Sequence, residues 1–274
     1  RAGDNIWIIE LSDKKLTQVT DETFRLLCGA SWSPDGQYIV ARKHFSSRRS
    51  LGAGEMWAYH RDAIALNATE GLQLTTRPTD EKDVNEPVYS PDGKYLYYSQ
   101  DTTPGDTFEY DKDSHKGIYS IKRLDLSSGE TETLISGPGG ACRPTPSPDG
   151  KSLAFIRRVG VKTGLHLFDL QSGAIRLIDD DMERDMQEAW AIHGVYSGIA
   201  WTPDNQSIVA WAKGKLWRID VSSGKRTNIP FQIQDTRQAQ SAVRFKIPVA
   251  PDKFDVRMLR DVCVSPSGDQ VIFQ

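Results

Sequence analysis

One tetrapeptide, Ser-Pro-Asp-Gly or a close variant of it, returns five times along this 274-residue chain. Its copies begin at Ser33, Ser90, Ser147, Thr202 and Ser265. Consecutive prolines are 57, 57, 55 and 63 residues apart. Proline presets φ at the second position of a tight turn, and the closing glycine or asparagine adopts the left-handed conformation. Because the spacing is nearly constant, the chain is predicted to be a tandem array of one structural unit.

Each of these turns lies between short strand patterns. The runs that follow four of the turns are residues 38–41, 95–98, 153–156 and 208–211. They are rich in β-branched and aromatic residues and are too short for helices. A second hairpin with a Ser-Gly turn follows in most units, for example at Ser127-Ser128-Gly129. Four antiparallel strands per unit form the blade of a β-propeller, so the sequence predicts an all-β propeller.

The two ends of the sequence supply half-blades. Residues 6–19 have the pattern of the third and fourth strands of a blade, and residues 261–274 have that of the first and second. Together they are predicted to form a composite fifth blade beside four complete ones, which would close the ring without a free edge. The alternative is a larger propeller with further blades on both sides. Residues 1–274 are thus one propeller domain or propeller fragment, with residues 230–260 as a long insertion between blades.

The insertions fall on one face of the predicted propeller. In up-and-down blades, the loops after the second and fourth strands lie on one face, here called the long-loop face. The loops after the first and third strands lie on the other, the short-turn face. The long-loop insertions are Lys43–Gly54, Asp101–Lys116, Asp179–Ser197 and Pro230–Arg260. Since loops on a rigid scaffold often carry recognition, this face is predicted to dock a neighbouring catalytic domain or a partner protein. The alternative is that the loops only cap the blades.

Polar and aromatic residues in or beside these insertions are the candidates for binding. They are His44, Arg48, Glu55, Asp106, Tyr110, His115, Trp190 and His193. In the last insertion, Val243, Phe245, Ile247 and Val249 alternate as the residues of a half-buried strand do. We expect this strand to dock on a neighbouring domain or chain, because an exposed strand edge invites aggregation.

Composition and motifs argue against several functions. The 34 Lys and Arg against 37 Asp and Glu give a net charge of −3 without long single-sign runs, which argues against nucleic acid as a partner. No apolar run approaches the roughly 18 residues of a membrane span. The histidines are isolated, with neither an HxH nor an HExxH pair for zinc, and no GxSxG elbow is present. The acidic loop 101–113 lacks the spacing of an EF-hand. We therefore predict no catalytic residue, metal or cofactor in this segment.

The repeat resembles the WD-like repeats of the TolB β-propeller family over residues 5–229 and 261–274. Such propellers serve as protein-interaction platforms and as non-catalytic domains of prolyl oligopeptidases, tricorn-type proteases and some amidohydrolases. Two stretches are similar to insertions in bacterial amidohydrolases that carry an N-terminal TolB-like propeller. These are Lys43–Ser47 with Leu51–Glu55, and Phe245–Pro251 with Asp255–Arg257.

The resemblance implies a function for the parent protein. It implies that this segment is a non-catalytic scaffold or substrate-gating domain of an extracytoplasmic, periplasmic amidohydrolase. Catalysis on C–N bonds, with zinc or another divalent metal, would then belong to a domain outside residues 1–274. One alternative is a TolB-like module that binds envelope proteins. Another is the propeller of a prolyl-oligopeptidase-type peptidase or a propeller lyase. An HxH motif after Gln274 would support the first reading, and a stop codon the second.

Overall fold

The computed structural model describes residues 4–49, 51–244, 250, 252–255 and 257–274. Within these ranges the chain contains twenty short β-strands and one 3₁₀ helix, Ser114–Lys116. No helix in the described ranges is long and apolar enough to cross a bilayer. The chain separates into two compact units, Arg1–Phe231 and Gln232–Gln274.

The first unit opens with a hairpin of β1 (Trp7–Ile9) and β2 (Leu16–Gln18), and four four-stranded sheets follow. Blade 1 contains β3 (Leu27–Trp32), β4 (Tyr38–Phe45), β5 (Ala53–His60) and β6 (Leu72–Gln73). Blade 2 contains β7 (Val84–Tyr89), β8 (Tyr95–Asp101), β9 (Tyr119–Asp125) and β10 (Thr131–Ile135). Blade 3 contains β11 (Cys142–Pro146), β12 (Ser152–Val159), β13 (Lys162–Asp169) and β14 (Ile175–Asp179). Blade 4 contains β15 (Ile199–Trp201), β16 (Ser207–Ala212), β17 (Lys215–Asp220) and β18 (Arg226–Ile229).

Every blade is antiparallel, with its strands hydrogen-bonded in chain order. The first strand of each blade contacts the first strand of the next, from β3 to β7, from β7 to β11 and from β11 to β15. These four strands therefore surround the propeller axis. The predicted all-β propeller with four complete blades is confirmed.

Apolar side chains fill the wedges between adjacent sheets. Between blades 2 and 3, Ile121 of β9 packs with Leu153 and Phe155 of β12, and all three are buried. Between blades 3 and 4, Ile156 and Ile208 belong to one buried cluster. Burying one such side chain stabilises the fold by about 1.5–3 kcal/mol, so these wedges are the core that holds the blades together.

The repeated turns of the first unit share one set of hydrogen bonds. In blade 3, the Ser147 hydroxyl donates to Asp149 Oδ1 (2.6 Å) and accepts the backbone N–H of Ser152 (2.9 Å). The turns of blades 1, 2 and 4 repeat both bonds. The closing residue is left-handed as predicted, with φ of 69° at Gly150 and 60° at Asn205.

A β-bulge interrupts the first strand of blades 1, 2 and 3. The strand register shifts there, and a residue with positive φ lies inside each shift. These residues are Gly29, Glu86 and Arg143, with φ of 64°, 59° and 56°. All three are five residues before the turn proline, so the bulge is part of the repeat. Left-handed φ costs glycine little, but it strains glutamate and arginine, and such strain concentrates at functional positions.

The second unit contains a hairpin of β19 (Cys263–Val264) and β20 (Val271–Ile272). In the insertion before it, residues 231–244 form no strand and are exposed, Val243 to 87%. The remaining residues of the strand predicted there, Phe245, Ile247 and Val249, lie outside the described residues. The β1–β2 and β19–β20 hairpins are each two-stranded sheets, and the composite fifth blade stays a prediction.

Candidate functional site

Four long loops of the first unit lie on the long-loop face. Residues 46–52 and 102–118 follow the second strands of blades 1 and 2, and residues 74–83 and 180–198 follow the last strands of blades 1 and 3. The corresponding connection in blade 3 is the tight turn 160–161. The lengthened loop 61–71 follows a third strand and so lies on the short-turn face.

The blade 1 insertion is shorter than the sequence indicated. β4 and β5 pair without interruption from Tyr38 opposite His60 to Phe45 opposite Ala53. His44 and Glu55, predicted on a loop, therefore lie in strands and are buried. Arg48 is in the loop and is exposed. The predicted insertion was too long because its charged residues near Lys43 are typical of a loop. Blade 1 instead buries them in polar contacts.

His44 is held inside a polar cluster. Its Nδ1 lies 3.1 Å from Arg42 Nη2, and its Nε2 lies 3.1 Å from the carbonyl oxygen of Leu51. Because Arg42 can only donate, Nδ1 accepts and Nε2–H donates, which is the neutral tautomer. Burial, followed by the charge of Arg42, lowers the pKa of His44 to about 4. His44 is thus a neutral structural side chain at physiological pH and is not poised as a general base.

Arg42 is fully buried and pairs with a buried carboxylate. Its Nη2 lies 2.6 Å from Asp83 Oδ1, which also accepts the backbone N–H of Gly54 at 2.7 Å. Burial raises the pKa of Asp83, and the Arg42 guanidinium opposes that shift. This ion pair fixes the start of β7 against blade 1.

Glu81, buried between blades 1 and 2, joins two of the long loops. Its carboxylate accepts the Ser47 hydroxyl (2.9 Å) and pairs with Arg49 Nη1 (3.0 Å) in the loop 46–52. It also accepts the backbone N–H of Phe108 in the loop 102–118 (3.1 Å). The loops that carry Arg48 and Tyr110 are therefore tethered to one side chain.

The loop 102–118 borders a cleft of about 790 Å³. Lys112, which lines the cleft, forms a buried ion pair with Asp101. Asp106, Tyr110 and His115 are exposed around this loop, Tyr110 to 67%. Among the described residues, no three His, Cys, Asp or Glu side chains are placed to hold a metal ion.

Residues 180–198, here called the crossing loop, pass over the propeller axis. The Ile192 carbonyl accepts the Cys28 thiol (3.0 Å) from β3, and the Ala191 carbonyl accepts Asn85 Nδ2 (3.0 Å) from β7. The Ser197 carbonyl accepts Arg143 Nε (3.1 Å) from β11. Because these three strands surround the axis, the loop covers the channel on the long-loop face.

Two ion pairs fasten the start of the crossing loop to blade 3. Arg158 of β12 binds both oxygens of Asp185, at 2.6 Å and 3.0 Å, and also contacts Glu188. The Asp185 side chain has no exposed surface. The crossing loop carries the predicted residues Trp190 and His193. The Trp190 ring lies 5.8 Å from the His44 ring, and His193 contributes to lowering the pKa of His44, so these three residues are brought together.

Glu86, which the sequence analysis missed, anchors the end of the crossing loop. Its Oε1 accepts the backbone N–H groups of Val195 (2.7 Å) and Tyr196 (3.0 Å). Its Oε2 accepts the Ser99 hydroxyl (2.6 Å) and the backbone N–H of Arg143 (2.6 Å). A buried carboxylate with four donors stabilises the strained bulge and the loop together. One sequence signal could have identified Glu86. It lies five residues before its turn proline, at the same offset as Gly29.

Comparisons with known proteins identify solved structures of similar architecture. No protein-family model matches the sequence. The search of the curated proteins gives no match. Among solved structures, TolB from Acinetobacter baumannii is 20% identical with a TM-score of 0.62, over 83% of this chain and 49% of that one. A putative TolB from Agrobacterium tumefaciens is 19% identical with a TM-score of 0.60, over 83% and 70%. A mutant puromycin hydrolase is 15% identical with a TM-score of 0.53, over 94% of this chain and 34% of that one.

This chain thus spans about half the length of the first TolB structure. At these identities the likeness concerns the fold. Strand order, the repeated turns and the structural matches agree, and the chain has the fold of a TolB-like β-propeller.

Proposed function

We propose that this propeller is a non-catalytic scaffold whose long-loop face docks a neighbouring catalytic domain. The observation that carries the proposal is the contrast within that face. The roots of the loops are fixed by buried ion pairs, Arg42 with Asp83 and Arg158 with Asp185, whereas their tips are exposed. A rigid base with exposed tips is how a scaffold presents a recognition surface, since little conformational entropy is lost on docking.

The exposed tips offer apolar anchors. Tyr110 is 67% exposed, Met186 of the crossing loop 53%, and Val161, in the tight turn of blade 3, 95%. Aromatic residues and methionine are enriched at protein interfaces. Arg48 and His193 add exposed polar groups to the same face. This mixture of exposed apolar and polar side chains is better suited to binding a protein than to binding a small substrate.

The parent protein proposed here is an extracytoplasmic hydrolase of the amidohydrolase type. The puromycin hydrolase match supports a longer chain, since the part of that hydrolase that this propeller matches is about a third of its length. Zinc or another divalent metal would then be held by residues outside 1–274. A gating role would require the crossing loop to leave the axis, because it covers the channel on the docking side. The second candidate is a TolB-like module that binds a separate protein, which the TolB matches favour.

Photo-crosslinking from each face tests the proposal. A benzoylphenylalanine at Tyr110 probes the long-loop face, and one at Leu66, which is 59% exposed, probes the short-turn face. In cells that produce the natural full-length protein, we expect crosslinks from position 110. Crosslinks to residues of the same chain beyond 274 support the docked domain, and those to another protein support the interaction module. Crosslinks from position 66 alone would contradict both.

A further inference from the structure

The propeller channel contains a charged side chain that the docking proposal does not use. Arg143 lies in the bulge of β11, beside a cavity of about 180 Å³. The cavity is lined by residues of the first strands of all four blades. Its lining includes Ser31, Glu86, Pro144, Thr145 and Gly198. It therefore lies on the propeller axis.

The backbone of Arg143 is fixed in a conformation that arginine rarely adopts. Its φ is 56°, and its N–H is held by Glu86 Oε2 (2.6 Å) and by Ser99 Oγ (3.0 Å). Of its guanidinium, only Nε has a partner among the described residues, the Ser197 carbonyl at 3.1 Å. Glu86 and Ser99 hold the backbone of this strained bulge, and the Ser197 carbonyl holds Nε. The direction of the Arg143 side chain is therefore fixed.

The outer edge of the guanidinium has no counter-ion. Among the described residues, no carboxylate oxygen lies within 4.0 Å of it. Glu86 lines the same cavity, but each of its carboxylate oxygens accepts two hydrogen bonds from groups other than the guanidinium. Two of the bulge-equivalent positions are glycines, Gly29 and Gly198, and a Cβ on Gly198 would lie 3.4 Å from Arg143 Nη2. The space beside the guanidinium is thus kept open by the absence of side chains.

We infer that Arg143 forms an oxyanion-binding site in the channel, for one carboxylate or phosphate group. The Nη1 and Nη2 edge can bind two oxygens of such a group side by side. Ser31 lines the same cavity, and its hydroxyl can donate to the anion. The Thr145 hydroxyl donates to the Arg143 carbonyl oxygen at 3.3 Å. At about 30 Å³ for each water molecule, the cavity has room for about six, enough for one compact anion. This site lies on the axis and does not depend on docking at the long-loop face.

The test compares two arginine variants of the intact protein. Arg143→Asn removes the guanidinium but keeps a residue that tolerates left-handed φ. Arg218→Asn, at an exposed position on β17, is the matched control. Acetate is followed by saturation-transfer NMR, inorganic phosphate by ³¹P line broadening, and acetamide is the uncharged control, all at constant ionic strength. Thermal unfolding of both variants verifies that they fold.

We expect the protein and the Arg218→Asn variant to bind acetate, phosphate or both, and not acetamide. Arg143→Asn should weaken that binding about tenfold or more, as loss of a charge-assisted bidentate contact does. Binding of acetate alone assigns a carboxylate ligand, and binding of phosphate alone assigns a phosphate. No binding of either anion, or equal binding by the Arg143→Asn variant and the unmodified protein, would overturn the inference. Crosslinking from Tyr110 would be unaffected by either result, so the two proposals fail separately.

Discussion

The two faces of the propeller are held together by different kinds of contact. On the short-turn face, each turn is fixed by bonds within six consecutive residues, such as Ser147 with Asp149 and Ser152. On the long-loop face, the contacts join residues far apart in sequence, such as Glu86 with Val195. The short-turn face is therefore a repeated local structure. The long-loop face is a single tertiary structure, built once, and its stability depends on individual side chains.

The largest effect should come from Glu86. Replacement by alanine leaves the backbone N–H groups of Val195 and Tyr196 and the Ser99 hydroxyl without their acceptor. Each unsatisfied buried donor costs about 1–3 kcal/mol, so Glu86→Ala should lower the free energy of unfolding by about 4–6 kcal/mol. Urea unfolding measures this. The control, Glu132→Ala, removes an exposed partner of Arg123 and should change stability by less than about 1 kcal/mol. Similar values for the two variants would remove the distinction between local and tertiary contacts.

The next effect should come from the root of the crossing loop. Asp185→Ala leaves Arg158 buried with only Glu188 as a charged partner, and it should cost about 3–5 kcal/mol. Asp180 in the same loop pairs with Lys162 at the surface. Asp180→Ala should leave the urea midpoint unchanged. A loss as large for Asp180 as for Asp185 would mean that burial does not decide the strength of these pairs.

The buried polar cluster of blade 1 should make stability depend on pH. His44 has a folded-state pKa of about 4, held down by burial and by Arg42, against an ordinary value of about 6.5. As the pH falls below 6.5 the unfolded chain binds the proton first, so stability declines down to about pH 4. The full decline is about 3 kcal/mol. Urea unfolding of the protein and of His44→Gln at several pH values isolates this contribution. Parallel pH profiles for the two proteins would show that His44 is not buried in its neutral form.

The smallest effect should come from the repeated turns. Ser147→Ala and Ser90→Ala each remove one hydroxyl that donates at 2.6 Å and accepts at 2.9 Å. Each should cost about 1 kcal/mol in urea unfolding. Because the bonds are the same in both blades, the two losses should agree within error. A difference larger than the effect itself would show that the turns are not equivalent.

The sequence predicted those parts of the molecule whose causes are local. Proline, aspartate and glycine fix each turn through their dihedrals, together with the hydroxyl contacts of the preceding serine or threonine, so the four complete blades and their strand order followed from the repeat. The long-loop face could be located by counting strands. Its internal contacts could not be predicted, because Glu86 and Asn85 meet the crossing loop more than 100 residues later.

The loop placement predicted for the candidate binding residues is right for some of them and wrong for others. Arg48, Tyr110 and His193 are exposed on loops, as predicted from insertion length. His44 and Glu55 are buried, because β4 and β5 extend into the predicted insertion. Hydrophobic pattern alone could not reveal this extension, since the strand ends bury charged and polar side chains in pairs.

Amide hydrogen exchange at Val195 and Tyr196 tests most directly that the crossing loop is a fixed part of the propeller. Both N–H groups donate to Glu86, so they should exchange about as slowly as the amides of β12. In Glu86→Ala, which removes the acceptor, they should exchange rapidly while β12 stays protected. Residues 231–244, which are exposed and form no strand, give the rate of an unprotected segment in the same molecule. Exchange of Val195 and Tyr196 at that rate in the unmodified protein would contradict the account.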